Sequence, residues 1–123
     1  MRRVFLPTAV VLLGLAGAAQ AHPKLVSASP APNAMVAKPA NVTLRFSEKL
    51  MPKFSGADLM MTGHGGMTHA PMKVVGTATV GSDGRTLVVT PKSPLGAGSY
   101  KLAWHVVSTD THRITGNYAF TVK

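Results

Sequence analysis

Four of the seven methionines of this chain lie within residues 59–72, in the run LMMTGHGGMTHAPM, together with two of its five histidines. Thioether sulfur is a soft ligand that selects Cu(I) and binds Zn, Mg and Ca poorly, and imidazole is a compatible partner ligand. The glycines and Pro71 allow the segment to fold back, so that residues three to five apart can meet at one ion. The segment therefore predicts a Cu(I) site.

Methionine is also a common core residue, which is the main alternative for this segment. Core methionines follow a helix or strand period among Leu, Ile and Val, whereas these lie among Gly, Thr, Pro and His. Ligation is therefore favoured over packing. Of the two adjacent methionines, we expect Met61 to be a ligand and Met60 to pack.

A second candidate site depends on removal of the amino-terminal segment. Residues 1–21 combine Arg2 and Arg3, an apolar stretch and the small-x-small end Ala19-Gln20-Ala21, which is typical of a cleaved signal peptide exported by the Sec or the Tat route. Cleavage would make His22 the first residue, and its α-amine and Nδ1 could then chelate one metal ion as a histidine brace. Pro23 has no backbone N–H, which excludes Cu(II) binding by successive amides.

Asp110 and His112 are the expected completion of this site. In an extended segment, residues i and i+2 project to the same side, and nitrogen and carboxylate donors suit Cu(II). Glu48, just after a strand pattern, is a reserve oxygen ligand. We interpret His105, on the polar face of a strand pattern, as a surface histidine.

Alternating apolar residues indicate the elements that would position these side chains. The pattern is clear over residues 41–46, 99–107 and 117–122, and shorter runs separated by Gly, Pro, Asn and Asp turns complete about seven strands. Residues 60–72 and 108–114 fit no strand and are expected to be loops. The prediction is an all-β domain over residues 22–123, a small antiparallel Greek-key β-barrel or sandwich.

Composition excludes several classes of function. The chain has no cysteine, so disulfides, thiolate zinc sites and blue-copper sites are excluded. Its net charge of +9 comes from singly spaced Lys and Arg without an aromatic ladder, which argues against nucleic-acid binding. Two alternatives stay open: a copper-dependent oxidative enzyme using the histidine brace, and a structural Ig-like module.

With these residues in place, the chain resembles the CopC/PcoC family of small periplasmic copper-resistance proteins. The resemblance covers residues 22–123, and the matching motifs are HPKL at 22–25, FSE at 46–48, FSGA at 54–57, residues 67–72, and STDTHRITG at 108–116. It implies a cupredoxin-like, Ig-like Greek-key β-barrel with two separated copper sites.

The resemblance also implies the ligands of each site. The Cu(II) site would comprise His22, Asp110 and His112. The Cu(I) site would comprise Met61, Met67, His69 and Met72. His64 stands where well-known members have another methionine; it either replaces that thioether, raises the tolerance for Cu(II), or does not bind.

The implied function is copper binding and carriage in the periplasm, without enzymatic activity, for copper resistance or homeostasis. Copper would pass to a CopD-type inner-membrane protein or another copper-resistance component, and a change of oxidation state could drive transfer between the two sites. The protein would act as a monomer, with a metal-bridged dimer as the alternative.

Overall fold

Two β-sheets pack against each other in the computed structural model, which describes residues 23–123. The elements are β1 (Leu25–Ser29), β2 (Met35–Val36), β3 (Val42–Phe46), a 3-10 turn (Pro52–Phe54), β4 (Gly56–His64), β5 (Met67–Lys73), β6 (Gly76–Val80), β7 (Thr86–Pro91), β8 (Gly98–Val107) and β9 (Arg113–Val122). The predicted signal peptide at residues 1–21 and His22 lie outside the described residues. Between residues 23 and 123, no helix is long and apolar enough to cross a membrane.

The strands form a four-stranded sheet in the order β1-β3-β7-β6 and a five-stranded sheet in the order β2-β9-β8-β4-β5. All neighbours are antiparallel except β2 and β9, which run parallel. The all-β sandwich prediction is confirmed. β5 is an edge strand that pairs with β4 alone.

The core lies between the sheets and is built from the alternating residues that the sequence indicates. In β3 the inward positions are Val42, Leu44 and Phe46, and all three are buried. The buried apolar residues of β8 and β9 are Tyr100, Leu102, Val106, Tyr118, Phe120 and Val122. Period-two alternation therefore predicts correctly which side chains of these strands face the core.

The number of strands differs from the prediction, because the described chain has nine strands and not about seven. Residues 60–72 are not a loop: β4 extends to His64 and β5 begins at Met67. Gly65 and Gly66 join them with φ values of 58° and 76°. Two central residues with positive φ make a type I′ hairpin turn, for which Gly-Gly is a favoured sequence. The expectation of a loop is wrong because Gly-Gly forms the whole connection and the residues on both sides of it pair as strands.

Candidate metal centres

The hairpin β4–β5 pairs the predicted Cu(I) ligands across its two strands. His64 lies opposite Met67 beside the turn, and Met61 lies opposite Met72 further along. Directly opposed residues of an antiparallel pair have their side chains on the same face, with Cβ atoms about 4.5–5.5 Å apart. The strand pairing therefore makes two close pairs of soft and imidazole donors.

A β-bulge brings the two pairs to one side. Met61 and His64 are three residues apart, so a regular strand would place them on opposite faces. In the pairing with β8, Met61 lies opposite Tyr100 but Gly63 lies opposite Ser99, which leaves Thr62 as an extra residue on β4. An extra residue of this kind reverses the alternation that follows it.

The surroundings of Gly98, at the start of β8, show that Met61 and His64 lie on the same face of β4. A Cβ atom placed on Gly98 would lie 2.6 Å from Cε of Met61 and 3.5 Å from Cβ of His64. Both side chains therefore approach the same side of one residue. A cavity of about 350 Å³ lies between the turn and this end of β8, with His64 and Met67 in its wall.

His69 joins the same group through its ring. The centroids of the His64 and His69 rings are 5.2 Å apart, and the ring planes are inclined by 57°. Nδ1 of His69 lies 2.7 Å from the carbonyl oxygen of Ala70. Because a carbonyl only accepts, Nδ1 carries the proton, and Nε2 of the neutral ring keeps its lone pair. Nε2 is buried and has no hydrogen-bond partner among the described residues. We call Met61, His64, Met67, His69 and Met72 the hairpin cluster.

The methionines of the hairpin cluster differ in burial. Met67 and Met72 are 74% and 62% exposed, so packing in the core does not explain why methionine occupies these positions. Met61 is half-buried and packs against the core, whereas Met60 is on the opposite face, beside Lys73 and Lys101 in the strand register. The expected packing of Met60 is therefore not observed, because the inward positions of β4 before the bulge are Leu59 and Met61.

Carboxylates are not part of the hairpin cluster. Within residues 23–123, no three or more His, Asp or Glu side chains converge to hold a metal ion. Asp58 on β4 lies 3.7 Å from the ammonium of Lys73 on the outer face of the hairpin. The cluster thus offers thioether and imidazole donors only, a set that favours Cu(I) among biological metals.

The second candidate centre is the turn between β8 and β9. Oδ2 of Asp110 lies 3.1 Å from Nδ1 of His112, so the structure brings these two predicted ligands together. They do not converge by extended i, i+2 geometry as expected. The Thr111 N–H donates to the Ser108 carbonyl, at 2.8 Å, and Thr111 has a φ of 74°. A tight turn, not a strand, produces the convergence.

Ser108 supports this turn from the protein interior. It is 1% exposed, and its hydroxyl donates to Oδ1 of Asp110. Its N–H donates to the carbonyl of His112, at 3.0 Å. The hydrogen bond from Ser108 is the main reason that the pKa of Asp110 is below its ordinary value, and the neighbouring His112 lowers it further. The carboxylate is therefore charged and held in place.

The amino-terminal end of the described chain lies close to the same region. Pro23 is fully buried, and the Lys24 N–H donates to Oγ of Ser47, at 2.9 Å. Two residues later, the Lys49 carbonyl accepts from the Thr109 N–H, at 3.0 Å. Glu48, the reserve ligand, is half-buried on this connecting segment. His22 itself lies outside the described residues.

His105 is a partly exposed residue on the outer surface of β8. It lies on the outer face of β8, as expected, but it is half-buried because its ring packs over Gly56. It faces a groove whose wall includes Phe54, Val107 and Arg113. The same groove also includes Thr111 of the turn between β8 and β9, whereas none of the hairpin cluster lines it.

Comparison with known proteins agrees with the fold and with the motifs. A family model described as CopC domain matches residues 25–123. Copper resistance protein C of Pseudomonas syringae pv. tomato is 54% identical over 105 residues, covering 85% of this chain and 83% of the relative. Copper resistance protein C of Escherichia coli is 49% identical over 117 residues, covering 94% of this chain and 93% of the relative.

Solved structures give the same result. The crystal structure of selenomethionine PcoC, a copper resistance protein from Escherichia coli, matches with a TM-score of 0.78 and 50% identity, covering 82% of this chain and 100% of that one. The crystal structure of CopC from Methylosinus trichosporium OB3b matches with a TM-score of 0.72 and 33% identity, covering 83% and 94%. This chain belongs to the CopC family.

Proposed function

We propose that this protein is a periplasmic copper carrier that binds Cu(I) at the hairpin cluster and Cu(II) at His22, Asp110 and His112. The observation that carries the proposal is the pairing of β4 with β5 together with the bulge at Thr62, which supports the assignment of three thioethers and two imidazoles to one side of an edge hairpin. The chemistry of that donor set is soft, and two of its methionines are exposed to solvent. Relatives that are 54% and 49% identical are named copper resistance proteins, which supports copper as the metal.

The turn between β8 and β9 supports the second half of the proposal. Two donors bound about 2 Å from one ion at a right angle are about 2.9 Å apart. The Asp110–His112 distance of 3.1 Å is close to this value, so both could occupy adjacent positions of a tetragonal Cu(II) ion. His22 is separated from the buried Pro23 by one peptide bond, and the Pro23–Lys24 segment is hydrogen-bonded to the segment that contacts this turn.

The two sites lie at opposite ends of β8. The hairpin cluster is beside Gly98 at the start of this ten-residue strand, and the Asp110 turn follows its last residue, Val107. At about 3.4 Å per residue, the sites are about 30 Å apart. One ion cannot be held by both sites of one molecule, so redox-driven transfer would pass through a second molecule or a partner. We extend the proposal to handover to a CopD-type inner-membrane protein or another copper-resistance component.

Binding without catalysis is the function that the geometry favours. A copper oxidative enzyme with a histidine brace needs one redox-cycling ion on an open substrate face. A separate soft site about 30 Å away has no use in that reaction, but it suits a carrier that holds both oxidation states. The metal is cargo in this proposal.

Exchange of exposed methionines tests the Cu(I) site. Met67→Leu and Met72→Leu keep the apolar volume but remove the sulfur, so each should weaken Cu(I) binding in a competition titration with a chromogenic chelator. Met35→Leu is the matched control, because Met35 is 64% exposed and lies on β2. Equal Cu(I) affinities for all three variants and the unchanged protein would refute the hairpin site.

The Cu(II) site is tested by the position of the amino terminus. Two forms are compared by EPR and by Cu(II) competition, one beginning at His22 and one with a single extra residue before it. Tighter, nitrogen-rich binding in the form that begins at His22 is expected, because only that form has the α-amine of His22. Identical binding by both forms would exclude the amine as a ligand.

A further inference from the structure

The two histidine rings of the hairpin cluster have a separation that fits two ligands of one ion. With metal–nitrogen bonds of about 2.0–2.1 Å, each ring centroid stands about 3.2 Å from the ion, so two rings at a tetrahedral angle have centroids about 5.2 Å apart and two at a right angle about 4.5 Å. The observed His64–His69 separation is 5.2 Å. The distance between the rings is therefore compatible with both imidazoles binding one ion.

His69 is prepared for this role by its own backbone. Its Nδ1–H is bonded to the carbonyl of Ala70, which leaves the buried Nε2 as the donor atom. A hydrogen bond from the other ring nitrogen is the usual device that fixes the tautomer and the orientation of a metal-binding histidine. The rotation and the proton position of this ring are therefore set before a metal arrives.

Two imidazoles change which oxidation state the site accepts. Thioethers alone select Cu(I), whereas imidazole binds divalent ions and prefers Cu(II) to the other first-row metals. His64 is directly opposite Met67, where a hairpin with a thioether at both positions would be softer. Resting on the proposed function, we propose that the hairpin cluster holds Cu(II) as well as Cu(I), with His64 and His69 as the pair that retains the oxidised ion.

The experiment isolates the hairpin cluster by removing the other site. Protein carrying His22→Ala, Asp110→Ala and His112→Ala is titrated with Cu(II) under air and followed by EPR and by competition with a chelator of known affinity. In this background, His64→Met is compared with His105→Gln, a change of a histidine on the outer face of β8 away from the cluster. Emission of the single tryptophan, Trp104, checks that each variant is folded.

The expected result is one Cu(II) bound per chain with nitrogen superhyperfine structure in the background protein. His64→Met should lower the Cu(II) affinity about tenfold or more, and His105→Gln should leave it unchanged. The Cu(I) affinity of the His64→Met variant should stay within about threefold, because a thioether replaces the imidazole.

Three results would overturn the inference: an absence of Cu(II) binding in the background protein, bound copper that gives no EPR signal, or equal Cu(II) affinity in the His64→Met and His105→Gln variants. None of them affects the proposed Cu(I) function, which fails only if Met67→Leu and Met72→Leu leave the Cu(I) affinity unchanged.

Discussion

Individual hydrogen bonds decide which atoms are available at each candidate centre. At the hairpin cluster, the Ala70 carbonyl accepts from Nδ1 of His69 and leaves Nε2 as the donor atom. At the other end of the molecule, the buried hydroxyl of Ser108 holds Oδ1 of Asp110, while Oδ2 faces His112. In both cases a group that need not touch the metal sets the orientation of one that would.

The Ser108 hydroxyl should control the titration of Asp110. In Ser108→Ala, the pKa of Asp110 should rise, because the largest contribution that lowers it is removed. Carbon-13 NMR of the carboxyl groups in metal-free protein measures this directly. Asp83, whose pKa is lowered by its own hydrogen bonds from Thr86 and Arg85, is the control in the same spectrum and should not move.

The lowered pKa of Asp110 also determines how the stability of the fold changes with pH. A carboxyl group with a pKa lower in the folded than in the unfolded protein stabilises the fold at pH values above its unfolded pKa, and this contribution is lost as the pH falls through the folded pKa. The unchanged protein should therefore lose more stability on acidification over that range than Ser108→Ala. Urea unfolding at a series of acidic pH values tests this; parallel curves would contradict it.

At the scale of elements, the hairpin β4–β5 depends on its two-residue turn and on its bulge. The turn requires positive φ at Gly65 and Gly66, and open space surrounds both residues. The bulge at Thr62 then decides that Met61 and His64 share a face. Side-chain size is unrestricted at the turn, so only the backbone conformation limits which residues it tolerates.

Substitution at Gly65 should show whether the backbone conformation limits which residues this turn tolerates. Gly65→Val should destabilise the protein by about 1–2 kcal/mol, because a β-branched residue is strained at positive φ. Gly65→Asn should stay within about 0.5 kcal/mol, because Asn-Gly is a favoured type I′ sequence. Urea denaturation measures both, and equal losses would show that the turn conformation is not the cause.

Trp104 on β8 lies over Gly116 on β9, which is its register partner. A Cβ atom on Gly116 would fall 2.2 Å from Cζ2 of the indole. Gly116→Ala should therefore displace the ring, shift its emission to the red and cost about 1–3 kcal/mol as overpacking. Gly96→Ala, with nothing within 4 Å of the added Cβ, is the control and should leave the emission unchanged.

The whole molecule forms a rigid spacer between the two candidate centres. β8 pairs along its full length with β9 and, over most of it, with β4. Its inward side chains Leu102 and Val106 are completely buried. Because the interior is close-packed, the ends are held at a constant separation.

The two sites should therefore act independently in one molecule. Asp110→Ala should leave the Cu(I) affinity of the hairpin cluster within about twofold, since distant sites without shared contacts contribute additively. A Cu(I) competition titration at several protein concentrations measures this. A larger change that grows with protein concentration would show that one ion bridges two molecules.

The sequence by itself determined the fold class, the inward-facing residues of the long strands and the chemical character of the donors. These are local properties: alternation reports burial along one strand, and a thioether is soft in any surroundings. The Gly-Gly turn belongs to the same class, since it could be read from residues 65 and 66 alone.

Only the tertiary structure decided how the donors meet. An extra residue such as Thr62 is defined by its partners on β8, which are nearly forty residues away in the chain, so alternation along β4 alone places Met61 and His64 on opposite faces. The turn at Asp110 likewise depends on the buried Ser108, which forms an isolated antiparallel β-bridge with Leu50. The separation of the two ends of β8 also follows from pairing with β4 and β9. Convergence and distance between sites arise from long-range contacts, and these have no signal in local periodicity.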